Sequence, residues 1–153
     1  MAEVQEKLEY VGFWARVGAT IIDSILILII IFPILTAFYG TAYWESENIV
    51  EGPMDFLLTY IFPMVAIIAF WLMKQATPGK FAISAKIVDA KTGGEPSIGQ
   101  CIIRYLAYFL STIPLCLGFI WVAFDSRKQG WHDKIAGTVV VRPKKRDSEV
   151  KFE

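Results

Sequence analysis

One histidine and two cysteines among 153 residues leave little room for several kinds of chemistry. A zinc site or a Ser-His-Asp triad needs more ligands and bases than His132, Cys101 and Cys116 provide, so no metal is expected. The cysteines have no metal-ligand spacing and imply no disulfide framework; both lie in an apolar stretch and read as small core residues. Nucleotide binding is excluded as well: Pro78-Gly79-Lys80 looks like the end of a P-loop, but Lys74 stands where the first glycine belongs and Phe81 follows the lysine. No nucleophile–base pair is present, so the expectation is a non-enzyme without cofactors. The formal net charge is zero and there is no internal repeat, which gives no reason to expect nucleic acid.

Apolar sequence is what the chain has in excess. Apolar residues make up 55% of it and the mean hydropathy is +0.48, too high for a soluble domain of this size. Three apolar stretches stand out: Val17–Phe38, Phe56–Met73, and Cys101–Phe124 interrupted by Arg104. Crossing the hydrocarbon core takes roughly 20 helical residues, so the first two predict transmembrane helices, over about 13–39 and 56–74. The first run exceeds the h-region of a signal peptide and its leader is acidic, with Glu3, Glu6 and Glu9 against Lys7; it is expected to be an uncleaved span.

Charge is segregated along the chain. Tyr39–Asp55 contains no lysine or arginine, whereas Lys74–Gln100 carries Lys74, Lys80, Lys86 and Lys91. By the bias of basic residues toward the cytoplasm, the acidic loop faces outward, and the N-terminus and the 74–100 segment face inward. The tail after Phe124 is the most basic part of the chain, so a single crossing by the third stretch would strand it outside. A re-entrant or interfacial hairpin over about 98–124, with Ile113-Pro114 at its apex, resolves the conflict; a full span is the alternative. Strand character over Lys80–Ala90, within a β segment at about 80–96, and over Thr138–Val141, within a return strand at about 138–142, predicts a small cytoplasmic sheet. Ser97 and Gln100 form a capping box for the third helix. Residues 144–153 are expected to be a basic disordered tail, leaving 1–143 as one membrane domain. The fold class is therefore an all-α membrane protein with two spans, a third helical segment and a small sheet.

Ionisable groups inside apolar runs are the candidate site. Gly12, Ala15, Ala19 and Asp23 recur on one face of the first helix, a small-residue face suited to close helix packing, with Ile22, Leu26, Ile29 and Ile30 left for lipid. Asp23 needs a partner. Arg16 lies about 10 Å away along the axis and is expected to reach for the headgroups, so Arg104 is the expected partner of Asp23. Asp23 either registers the first helix against the third as a permanent pair, or titrates as a proton or cation site. A second expected contact is a bidentate Arg16–Asp133 bridge. His132 is read as a pH-sensitive hinge or a hydrogen-bonded structural residue.

These residues resemble those of the RDD family of small membrane proteins, named for one arginine and two aspartates. The match comprises Gly12-Phe13-Trp14-Ala15-Arg16, Ile21-Ile22-Asp23, the turn Thr77–Lys80, Lys86-Ile87-Val88-Asp89, and Arg127–Val141 with the second aspartate at Asp133. It covers about Leu8 to Pro143; the Arg-rich block is reduced to Arg127-Lys128-Gln129. The resemblance implies a membrane protein for which transport of unidentified ligands is the usual suggestion.

Two functions are expected to compete. One is an ion- or proton-coupled transport component of the inner or plasma membrane, multi-pass, with N-terminus and tail cytoplasmic. Three helices cannot enclose a pore unaided, so it would act as a homo-oligomer or within a larger membrane complex. The other is a non-catalytic adaptor that docks another membrane protein.

Overall fold

The computed structural model describes residues 7–144. Its first strand, β1 (Leu8–Tyr10), runs directly into helix α1 (Phe13–Tyr39). Twenty-seven residues make α1 about 40 Å long, more than the thickness of a hydrocarbon core. It stops at Gly40, whose left-handed φ of 79° few other residues adopt and whose N–H returns to the Thr36 carbonyl.

The second rod runs from Pro53 to Lys74 and comprises α2 (Pro53–Phe56), a π turn (Leu57–Ile61) and α3 (Phe62–Lys74). Pro63 lacks an N–H for the helical ladder, which accounts for the widened turn before it. The helix begins three residues before the expected start, with Pro53 in the first position and Asp55 in the first turn. The Tyr43 and Thr59 hydroxyls and the Glu51 N–H all donate to the Asp55 carboxylate, which is buried at the positive end of the helix dipole.

After Gln75 the chain makes α4 (Pro78–Ala82) and then β2 (Lys86–Asp89). Strand was expected from Lys80, but Pro78 at the first helical position starts a short helix through Ala82. That helix packs against α1 so closely that a Cβ on Gly79 would sit 1.9 Å from the Ala19 carbonyl oxygen. The small-residue face of α1 therefore receives α4, with Ala19 fully buried, and not the third helix. Gly79→Val is expected to destabilise the fold by about 1–3 kcal/mol or more, measured as a lower melting temperature in detergent, because backbone and not a flexible side chain must move.

Helix α5 (Ile98–Thr112) opens on the Ser97–Gln100 capping box, with both reciprocal bonds formed. At Thr112 the chain breaks. Leu115 and Cys116 adopt left-handed φ values of 53° and 60°, and the following helical piece, α6 (Leu117–Ile120) with a 3-10 turn through Ala123, turns back at 111°. Gly118 permits the return, since a Cβ there would lie 2.6 Å from Ser111 Cα. The apex is greasy: Ile113 and Leu115 are 78% and 88% exposed. Cys116 is exposed at this break and is not a core residue as expected; Cys101 is buried.

The sheet has three strands, in the order β1–β3–β2, with β3 (Thr138–Pro143) antiparallel to both neighbours. Leu8–Tyr10 is too short to announce itself as a strand and forms only because β3 offers an open edge. Side chains alternate along β3. Val140 joins Val11, Trp71, Ile87 and Cys101 in the core under the helices, while Val139 and Val141 pack with Val88 on the other face. A last helix, α7 (Trp131–Ala136), leads into β3 and packs on α5. Among the described residues the mostly helical architecture contains two helices long and apolar enough to cross a membrane, or three if the bent pair is one span. Residues 145–153, most of the expected tail, lie outside the described residues.

Candidate functional site

Asp133, on the first turn of α7, is fully buried and is the centre of the charge cluster. One oxygen, Oδ2, accepts from Arg16 Nη1 at 2.5 Å and from the Gly130 N–H at 3.0 Å; the other accepts from Arg104 Nη1. One carboxylate thus joins α1, α5 and α7. Burial alone would raise its pKa, but the Arg104 and Arg16 guanidiniums override that cost and hold it far below the usual carboxylate range.

The Arg16–Asp133 contact forms, but not as a bidentate fork. Arg16 directs two more donors to the Val11 carbonyl through Nε (3.0 Å) and to the Lys128 carbonyl through Nη2 (2.5 Å). It does not reach for headgroups: it is 12% exposed, because two backbone carbonyls and a carboxylate satisfy it more fully than an interface would. Arg104, 1% exposed, also donates to Thr138 Oγ1 at 2.6 Å and stands over the rings of Trp71 (5.3 Å) and Tyr108 (5.8 Å).

The expected Asp23–Arg104 pair is absent. Asp23 accepts from the Thr77 hydroxyl at 2.5 Å and from the Gly79 N–H at 2.7 Å. The Thr-Pro-Gly turn thus presents a hydroxyl and a backbone N–H to the carboxylate. The Ala19–Gly79 approach places α4 against Asp23, whereas Arg104 is held at Asp133 on the other side of the cluster.

His132 sits within an aromatic cage of Tyr108 and Phe119, with Nδ1 3.4 Å from Ser111 Oγ and Nε2 3.5 Å from Asp133 Oδ2. Burial pushes its pKa down to about 3, against the opposing pull of Asp133, so the ring is neutral at physiological pH.

Lys80 is the member of the cluster not expected as a site residue, although it closes the Thr77–Lys80 turn of the family resemblance. It is 8% exposed, and no hydrogen bond or ion pair reaches its ammonium among the described residues. Burial pulls it below its ordinary value, opposed first by Tyr108 and then by the through-space attraction of Asp23. Lys80, Arg16 and Arg104 all line a cavity of about 420 Å³ between α1 and the α5–α6 hairpin. Farther along, Asp89 ends β2 in a tight turn: the Lys91 and Thr92 N–H groups and Gln100 Nε2 donate to it. The Thr92 N–H contact leads in lowering its pKa to about 2. Among the described residues no group of three His, Cys, Asp or Glu side chains is placed to hold a metal ion.

The arginine, the two aspartates and the Thr-Pro-Gly-Lys turn thus converge in space, and the family model for "RDD family" matches residues 10–137. The chain belongs to the RDD family. It is 36% identical over 146 residues to the uncharacterized protein YxaI of Bacillus subtilis, covering 85% of this chain and 95% of that one. It is 28% identical over 149 residues to the uncharacterized membrane protein YteJ of the same organism, covering 88% and 82%. A third similar protein, the uncharacterized RP437 of Rickettsia prowazekii, is 45% identical over 75 residues; that match spans 49% of this chain and 41% of the relative. No solved structure matches the chain. With its apolar helices, this RDD chain is a membrane protein. In it the family's arginine, Arg16, pairs with the second aspartate, Asp133, while the first, Asp23, holds the turn.

Proposed function

We propose that the protein is a non-enzymatic, multi-pass component of the cell membrane, acting as a homo-oligomer in ion- or proton-coupled transport. The N-terminus and the C-terminal tail are cytoplasmic, and the α5–α6 hairpin is re-entrant. The sheet supports this topology: β1 precedes α1, β2 follows the second rod and β3 follows the hairpin, yet the three strands are hydrogen-bonded together. Two rods then cross out and back, and the hairpin must enter and leave on one side. Fifteen residues of α5 reach about 22 Å, short of a full crossing.

The observation that carries the functional reading is Lys80. Asp133 and Asp23 are both satisfied within the protein, which makes them registering groups; the Lys80 side chain is largely buried and lines a cavity, and no hydrogen bond or ion pair reaches its ammonium among the described residues. A group of that kind has binding capacity to spare and exchanges its proton more readily than a solvated lysine. Proteoliposomes loaded with a pH-sensitive dye are expected to dissipate an imposed pH gradient with the wild type. Lys80→Met is expected to reduce the rate at least tenfold, and Asp23→Asn, which removes the carboxylate acting on Lys80, to reduce it less. Wild-type vesicles no leakier than protein-free ones, with the oligomer intact, would leave the adaptor reading in its place.

A further inference from the structure

We propose that the cavity between α1 and the α5–α6 hairpin holds the phosphate-bearing head of an anionic membrane lipid, neutralised by Lys80. This rests on the reading of that cavity as the binding site, and names its ligand.

Three cations, Arg16, Lys80 and Arg104, lie along the cavity, and among the described residues two carboxylates, Asp133 and Asp23, stand near them. Asp133 is shared by both guanidiniums and Asp23 is taken by Thr77 and Gly79, while His132 is neutral. The cluster carries one more positive charge than negative, and no hydrogen bond or ion pair reaches the ammonium of Lys80, a side chain more than nine-tenths buried, among the described residues. Arg104 Nε, on the same cavity lining, is a buried donor without an acceptor among the described residues. A buried cation with no partner is costly, and an anion with several acceptor oxygens relieves it.

The rest of the cavity decides what kind of anion. Val17 and Ile21 from α1 and Phe119 and Ile120 from the hairpin make its walls apolar. Ile21 and Ile120 are 53% and 39% exposed, so they stand at the rim on the face the apolar helices present to lipid. A small soluble anion would satisfy Lys80 and leave these walls wet. A phosphate carrying acyl chains satisfies both: the head meets the cations and the chains leave past the rim into the bilayer. At about 420 Å³ the cavity takes a head and the first part of the chains, not a whole lipid.

The test uses the full chain, purified in a mild detergent and titrated with dioleoyl phosphatidic acid, dioleoylglycerol with the same chains, or inorganic phosphate. Bound ligand is counted by native mass spectrometry. Phosphatidic acid is expected to bind one per chain at least tenfold more tightly than dioleoylglycerol, and Lys80→Met to remove that preference while Lys80→Arg keeps it. Ile120→Trp, which fills the apolar part and leaves the cations in place, is expected to abolish phosphatidic acid binding without lowering the melting temperature of the lipid-free protein. Equal binding of the two lipids, or an unchanged preference in a folded Lys80→Met variant, overturns the proposal. So does inorganic phosphate binding as tightly as phosphatidic acid, which would assign the site to a free anion. Lipid preference without proton flux would remove the transport function and leave the lipid site standing; flux without lipid preference would do the reverse.

Discussion

Asp133→Asn is expected to destabilise the protein by about 3–5 kcal/mol, the range for removing one partner from a buried ion pair. The asparagine keeps the shape of the side chain and its bond from the Gly130 N–H is still available. It removes the carboxylate charge that opposes Arg104, which is 1% exposed, and turns an amide toward one of the two guanidiniums. Since folded domains have total stabilities of about 5–15 kcal/mol, the variant should melt well below the wild type in detergent or fail to accumulate. Arg104→Met on that background is expected to recover part of the loss, because the buried charge without a partner is then gone, giving a double-mutant cycle far from additive. Additive effects of the two substitutions would show that Asp133 and Arg104 do not stabilise the fold through each other.

The second large effect is on acid stability. Folded His132 has a pKa of about 3 against 6.5 for an ordinary histidine, so between these values the unfolded chain binds a proton that the native state refuses. The native state is therefore most favoured above pH 6.5 and loses stability as the pH falls toward 3. Between pH 7 and 4 the loss is about 3 kcal/mol, at roughly 1.4 kcal/mol per pH unit. Asp133 acts lower: its depressed pKa contributes stability that is fully present above the ordinary carboxylate range and disappears as the pH falls through its folded value. Melting temperatures taken at constant ionic strength should fall steadily from pH 6.5 downward in the wild type. In His132→Phe, which keeps an aromatic ring between Tyr108 and Phe119, the decline should begin only near pH 4. A flat wild-type curve between pH 7 and 5 would mean that His132 accepts a proton in place.

Arg16 and Asp23 share the local logic of α1 but not the same fate. Of the spacing Gly12, Ala15, Ala19 and Asp23, Ala19 is buried in backbone contact with Gly79, as a small-residue face requires, whereas Gly12 precedes the helix and has open space beside it. Which backbone it meets was not in that spacing. Arg104 was the natural partner for Asp23 because it was the only cation well inside an apolar stretch, yet the Thr77 hydroxyl and Gly79 N–H reach Asp23 first. A carboxylate needs hydrogen-bond donors, and backbone and hydroxyl donors leave no mark in a search for opposite charges.

Local features with short-range causes were legible from residues alone. The two apolar rods follow from length against bilayer thickness, the start of α5 from its Ser97–Gln100 box, and the hairpin bend from Pro114 and Gly118 at a basic chain's turning point. Long-range pairing was decided only in three dimensions. β1 exists because β3 offers it an edge, Asp133 serves two arginines because the fold brings α7 to Arg16 of α1 and Arg104 of α5, and Lys80 lines the cavity with no hydrogen bond or ion pair to its ammonium among the described residues. Helix ends and turns are set by neighbours within a few residues, whereas the partner of a buried charge is set by which distant segments the fold brings within about 3 Å of it.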